Sequence, residues 1–395
     1  QQEEQLVDFT SYRRGIWNLL LSENMRRYAY DGTFIFYKQA SALLKELKAF
    51  DEFSWIKNFD AAAVQQVARD FDQALREAIN KSNTKRFPRF KLSYHRKKLN
   101  SDCYKTVFTN GNIKIDNDTI SLPKIGKVPI VLHRAIVSEI KTVSIKFEHG
   151  HWSVSLTQNV PAKDKKKTLK TAIGYDINSK DMLVGSNGRI DKNPKFLLNS
   201  EEKLKQIQRQ LSRRVKGSGR WHISKQRLNK LHGTIARQRL DLSHKYADAI
   251  AKCSDIVVFE DLNVKGMQAF NGRMVGDNHM GLISSLVEYK VAREGGLFHQ
   301  IGRFEKSTGV CMHCQHTHNL ALNQRSFTCL SCNILQSRDL ASAVTIRDKG
   351  LKELLSSGTL DMGILTPHAH AKTAVKTKVF TRVKLVGQAE KKEAA

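Results

Sequence analysis

The sequence predicts a multidomain α+β chain, on three observations. Apolar residues recur at three- and four-residue spacings through residues 1–85 and alternate through residues 86–165. From residue 166 they fall into short strand-like runs, separated by helices and a cysteine cluster. At about 150 residues per domain, a chain of 395 residues makes two or three domains. A hydrophobic fraction of 40% fits a globular protein with a real core.

Residues 1–85 read as helices. Phe9, Tyr12, Ile16 and Leu19 share one helical face, and Val64, Val67, Phe71, Leu75 and Ile79 share another. Tyr28, Tyr30, Phe34, Phe36 and Tyr37 are read as core rather than as base-stacking residues. Residues 86–165 read as a small β domain. Ile113, Ile115, Ile120 and Leu122 alternate around Asp116-Asn117-Asp118. Val143, Ile145 and Phe147 alternate into a turn at Glu148-His149-Gly150, and Trp152, Val154 and Leu156 alternate back. Lys163 and Lys165-Lys166-Lys167 mark a basic hinge.

From Thr171 the chain restarts as sheet. Ile173, Tyr175 and Ile177 form one strand face, and Met182-Leu183-Val184 form a second strand before the Asn187-Gly188 turn. Residues 201–250 read as a helical hairpin broken at Gly217-Ser218-Gly219. Ile256-Val257-Val258-Phe259 reads as a buried parallel strand. A last helix starts near Asp339, with Leu340, Val344, Leu351 and Leu354 inward, and residues 356–395 read as a partly mobile tail.

Charge narrows the function classes. Lys and Arg total 66 against 38 Asp and Glu, a net charge of +28 that suits a polyanionic partner, nucleic acid above all. No stretch approaches the roughly 18 apolar residues of a membrane span, so no membrane partner is expected. The absence of a basic-then-apolar leader points to the cytosol. Between residues 203 and 245 thirteen cations face one acid, Asp241. Arg209, Arg213, Arg214, Arg220, Lys225, Arg227, Arg237 and Arg239 are the candidate phosphate contacts there.

Four of the six cysteines cluster: Cys311-x-x-Cys314 and, fourteen residues later, Cys329-x-x-Cys332. Two such knuckles let four thiolates surround one Zn²⁺ with no open position, which makes the ion structural. His313, His316 and His318 are read as surface residues or nucleic-acid contacts rather than as ligands. Three separated acids fit a two-metal nuclease, which needs carboxylates that meet in space to hold Mg²⁺. Asp176 lies in a strand between apolar residues, Glu260 ends the Val257-Val258-Phe259 strand, and Asp339 opens the last helix. Asp261 competes with Glu260, since strand neighbours face opposite ways.

These motifs, in this order, resemble the TnpB family, transposon-encoded RNA-guided nucleases related to type V CRISPR effectors. Gly174-Tyr175-Asp176 resembles the first RuvC-like motif, Phe259-Glu260-Asp261-Leu262-Asn263-Val264-Lys265-Gly266-Met267 the second, and Arg338-Asp339 the third. Glu288-Tyr289-Lys290 and Ser307-Thr308 resemble the approach to the family's zinc ribbon. Arg86-Phe87-Pro88-Arg89-Phe90-Lys91 and Leu122-Pro123-Lys124-Ile125-Gly126 are similar to segments ahead of it.

The resemblance implies a helical recognition domain (1–85) and a β-barrel wedge domain (86–165). It also implies an RNase H-like (RuvC-like) α/β nuclease domain (166–305 and 337–355), interrupted by a four-Cys zinc ribbon (306–336). The implied catalytic and Mg²⁺-binding residues are Asp176, Glu260 and Asp339. The implied zinc ligands are Cys311, Cys314, Cys329 and Cys332, and the implied partners are a noncoding guide RNA and target double-stranded DNA. Protein partners are left open. The sequence departs from the family at Asn178, where Gly is expected, and at Ala341, in Arg338-Asp339-Leu340-Ala341-Ser342-Ala343, where Asn is expected. These departures leave open a nuclease-weak, guide-directed DNA-binding regulator and, less favoured, a transposase.

Overall fold

The computed structural model describes residues 2–80, 85–91, 101–107, 112–116, 118–160, 169–178, 181–264, 266–267, 280–303, 305–321, 324–360 and 377–385. The expected hinge lysines, Asn117 and Lys265 lie outside these residues. The chain divides into two compact units, residues 1–160 with 378–395, and residues 161–377.

In the first unit, α1 (Gln2–Asp31), α2 (Tyr37–Leu47) and α3 (Ala61–Ile79) form as their apolar spacing predicts, with a 3-10 turn at Asp51–Asn58. Asp60 caps α3 by accepting from the Ala62 N–H at 3.1 Å. Val64, Val67, Phe71 and Leu75 are buried, whereas Ile79, at the frayed end of α3, is exposed. Phe34, Phe36 and Tyr37 pack on the core as expected. Tyr28 and Tyr30 are 57% and 89% exposed, because they fall on the last turn of α1, past the layer that packs.

The strands are β1 (Ser101–Val107), β2 (Lys114–Asp116), β3 (Thr119–Leu122), β4 (Gly126–Leu132), β5 (Ile140–Glu148) and β6 (His151–Val160). His149 and Gly150 both take positive φ, which gives the tight turn that sets Glu148 opposite His151. The sheet is completed by a C-terminal strand, Thr377–Leu385, which pairs antiparallel with β4. The sheet order is β1-β5-β6-(377–385)-β4-β3-β2. The expected barrel is therefore not closed among the described residues: β1 and the three-residue β2 end an open sheet. Phe9, Phe59 and Tyr104 meet edge to face at 4.9–6.0 Å, so helices and sheet share one core.

The second unit opens with β7 (Ala172–Asn178), β8 (Met182–Gly185) and β9 (Ile190–Asp191), an antiparallel meander. A short α4 (Phe196–Asn199) leads to α5 (Glu201–Ser212) and the 35-residue α6 (Gly219–Cys253). The break falls where the glycines predict it, and the Ser218 Oγ caps α6 by accepting from the Trp221 N–H at 3.2 Å. Then come β10 (Ile256–Glu260), α7 (Met280–Arg293) and β11 (Leu297–Ile301). β10 lies parallel between β7 and β11, giving the order β11-β10-β7-β8-β9. A hairpin of β12 (Ser326–Thr328) and β13 (Leu335–Ser337) leads directly into α8 (Arg338–Ser356). Among the described residues no helix is long and apolar enough to cross a membrane.

Candidate active site

Strand parity decides which side chains meet. On β7, Ile173, Tyr175 and Ile177 pack with residues of α6 and α7, so Gly174 and Asp176 face the other side. On β10, Ile256 and Val258 pack with Ile346 and Leu354 of α8, and Glu260 shares their parity. The parallel register sets Val258 beside Gly174, so Glu260 and Asp176 each stand two residues beyond the same pair, on the α8 side of the sheet. Asp261 has the opposite parity and is taken up by Arg303 at 2.9 Å.

Two glycines bring α8 onto this face. A Cβ on Gly174 would lie 2.3 Å from the Ala343 carbonyl oxygen and 2.5 Å from the Arg347 N. One on Gly350 would lie 2.4 Å from Val258 Cγ1. The helix thus presses its backbone onto β7 and its Gly350 onto β10. Asp339 stands one helical turn before Ala343, on the same face.

The electrostatics record the result. Burial, then Asp339, then Glu260 push the Asp176 carboxyl up to about 7 against a hydrogen bond from Asn178. Burial also pushes Glu260 up, opposed by the Ser307 Oγ, which donates at 3.3 Å, and by Lys349. Asp339 Oδ2 receives Arg325 Nη1 at 3.2 Å, and its Oδ1 receives Arg338 Nε at 3.2 Å. No local pattern pointed to Arg325, since it is a loop residue that only hairpin closure carries to Asp339. Asn178 also accepts from the Asp181 N–H at 2.8 Å, and Ala341 is fully buried.

The four cysteines form a much tighter set. Their sulfurs all lie within 4.8 Å of one another and could hold a metal ion. Among the described residues no other group of three or more His, Cys, Asp or Glu gathers its ligand atoms so closely. The knuckles match each other. The N–H groups of His313 and Ser331 donate to the Cys311 and Cys329 sulfurs at 3.4 Å. Gln315 and Asn333, each following a second cysteine, take positive φ. Burial pushes the Cys311 thiol up, but N–H donors from Cys314 and His313 outweigh it and bring it down to about 5. His313 and His316 are exposed as expected. His318 is not: it is buried against Phe327, with Nε2 3.3 Å from Cys329 Sγ.

Of the eight candidate phosphate contacts, Arg209, Arg213, Arg220, Arg227 and Arg237 are exposed on or beside α5 and α6, and Arg214, Lys225 and Arg239 are half-buried. Lys225 lies over the Trp221 ring at 4.9 Å.

Comparison with known proteins bears on both centres. The OrfB_IS605 family model, described as "Probable transposase", matches residues 153–271, and the Cas12f1-like TNB domain model matches residues 281–346. A protein named RNA-guided DNA endonuclease InsQ, from Escherichia coli strain K12, is 27% identical over 370 residues, covering 89% of each chain. These matches bear out the resemblance to the TnpB family.

A second relative, from Streptomyces pristinaespiralis and also named for RNA-guided DNA endonuclease activity, is 26% identical over 345 residues. That match covers 86% of this chain and 83% of the relative. The fold matches a Cas12f1–sgRNA–target DNA complex with a TM-score of 0.51 at 16% identity, over 88% of this chain and 83% of that one. The first matched segment holds Asp176, Glu260 and the basic hairpin. The second holds the cysteine knuckles and Asp339.

Proposed function

We propose that this chain is an RNA-guided DNA endonuclease. It binds a noncoding guide RNA, recognises a short target-adjacent DNA motif and hydrolyses phosphodiester bonds of target DNA at Asp176, Glu260 and Asp339. The observation that carries the reading is the convergence of these three acids on one sheet face under α8, with Asp176 pushed up to about 7 by burial and the other two. The three-antiparallel, two-parallel strand order supports an RNase H-like (RuvC-like) nuclease domain over 166–305 and 337–355, with the zinc ribbon over 306–336. The names of the curated relatives support the guide and the DNA target.

The donors suit their ions. Hard carboxylate oxygens gathered on one sheet face suit Mg²⁺, whereas four thiolates suit structural Zn²⁺. Magnesium held by such acids supplies an activated water and a stabilised leaving oxygen. Asp176 must give up its proton to act as a ligand, so loading of the acids strengthens as pH rises. Ser307 orients Glu260. The exposed arginines of α5 and α6 neutralise the guide–target duplex, whose sequence is read by base pairing. A cytoplasmic, nucleoid-associated location follows from these partners.

A guide-directed regulator without turnover is the second reading, favoured by the two arginines already on Asp339 and by Ala341 in place of Asn. The test is to sequence the RNA that copurifies with the full chain, redesign its guide segment, and offer matched and unmatched duplexes with Mg²⁺. Cutting should follow the guide. Tight matched binding with no product would favour the regulator, and RNA-independent joining of transposon ends would favour a transposase.

A further inference from the structure

We propose that Arg325 is a releasable cation that guards Asp339 when no divalent ion is bound, and that the four-cysteine ribbon holds it there. The inference rests on the reading of Asp176, Glu260 and Asp339 as a divalent-ion site. Asp339 is only 13% exposed, and two guanidiniums reach it from different parts of the chain. Arg338, its neighbour, puts Nε and Nη2 at 3.2 and 3.3 Å from Oδ1 and is 12% exposed. Arg325 puts Nη1 at 3.2 Å from Oδ2 and 3.5 Å from Oδ1, yet is 41% exposed. Both carboxylate oxygens thus face cations. Arg325 is the one that can swing to solvent without disturbing the start of α8.

The ribbon fixes where Arg325 stands. Its carbonyl accepts from the Arg338 N–H at 2.9 Å, one step beyond the register that pairs Ser326 with Ser337. The far end of that hairpin carries Cys329 and Cys332. Buried Gln336, on β13, accepts from the Met312 N–H at 3.1 Å and so ties the hairpin to the first knuckle. The metal-binding module therefore anchors the backbone of Arg325 while its side chain spans to the acid.

A charge so placed has two effects. It relieves carboxylate repulsion when the acids are empty, and it opposes any divalent ion that approaches them. The contact is partly exposed, so breaking it costs little. Arg325 consequently sets the ion concentration at which the acids load.

The test titrates Mn²⁺ into the full-length, nucleic-acid-free protein with its ribbon metal retained, following free Mn²⁺ by electron paramagnetic resonance. Arg325→Gln should bind about tenfold more tightly than wild type, and Arg325→Lys should stay near wild type. A damaged fold would weaken binding, so tightening separates a guard from a merely structural arginine. Asp176→Asn reports which Mn²⁺ belongs to the acids. If the Asp176-dependent ion binds wild type and Arg325→Gln with equal affinity, or the variant more weakly, the guard is overturned and the acid site stands. If wild type binds no Asp176-dependent Mn²⁺, the acid-site reading falls and the guard falls with it.

Discussion

At the scale of single residues, Asp176 carries the clearest signature. Its carboxyl is pushed from 3.8 up to about 7 by burial, then by Asp339 and Glu260. Between those values the folded chain keeps a proton that the unfolded chain has released, so stability falls as pH rises from about 4 through about 7. Asp176→Asn removes that loss. In buffer without added divalent ions, its melting temperature should exceed that of wild type by several degrees at pH 8 and by clearly less at pH 5. Calorimetry showing the same difference at both pH values would remove the repulsion argument. Asp176 was a candidate in the sequence because a carboxylate flanked by Ile173 and Ile177 is costly to bury unless something cationic neutralises it. The choice of Glu260 over Asp261 needed the sheet, since parity says only that the two diverge and packing of Val258 against α8 says which way. Arg325 was illegible because its partner lies across a hairpin whose register no local pattern reveals.

At the scale of elements, the decisive contact is α8 on β7, and it depends on Gly174 having no side chain. Gly174→Ala would drive a Cβ into the backbone of α8 at Ala343 and Arg347, atoms that move only if the helix moves. It should cost about 1–3 kcal/mol in urea unfolding, the range of overpacked cores, and should lower cleavage by more than stability alone explains. Unchanged stability would mean that the helix is not seated as described. The helices, the hairpins of β5–β6 and α5–α6, and the cysteine knuckles were all readable, because each is specified by local spacing, turn residues or ligand geometry. The strand at Thr377–Leu385 was not read. Its alternation of Val379, Thr381, Val383 and Leu385 is present, but it joins a sheet formed more than two hundred residues earlier. It sits inside that sheet, between β6 and β4, whereas the expected barrel stays open at the sheet's two edges, β1 and β2.

At the scale of the whole molecule, a net charge of +28 makes the proposed affinity for nucleic acid chiefly a matter of phosphate contacts. Replacing Arg209, Arg213, Arg227 and Arg237 together by Gln should weaken guide–target binding similarly for every sequence. It should also flatten the log-affinity against log-salt slope by about 3.6, as filter binding across a salt series would read. An unaltered slope would make α5 and α6 a solvated face. The same scale holds the central claim, that one polymer brings Asp176, Glu260 and Asp339 into a single cutting centre while other residues grip the duplex. The direct measurement is single-turnover cleavage and equilibrium binding of a guide-matched duplex by wild type and by Asp176→Ala, Glu260→Ala and Asp339→Ala. The account predicts that each variant binds within about threefold of wild type and that each loses cleavage by at least about a thousandfold. Any one of the three cutting at the wild-type rate would contradict it.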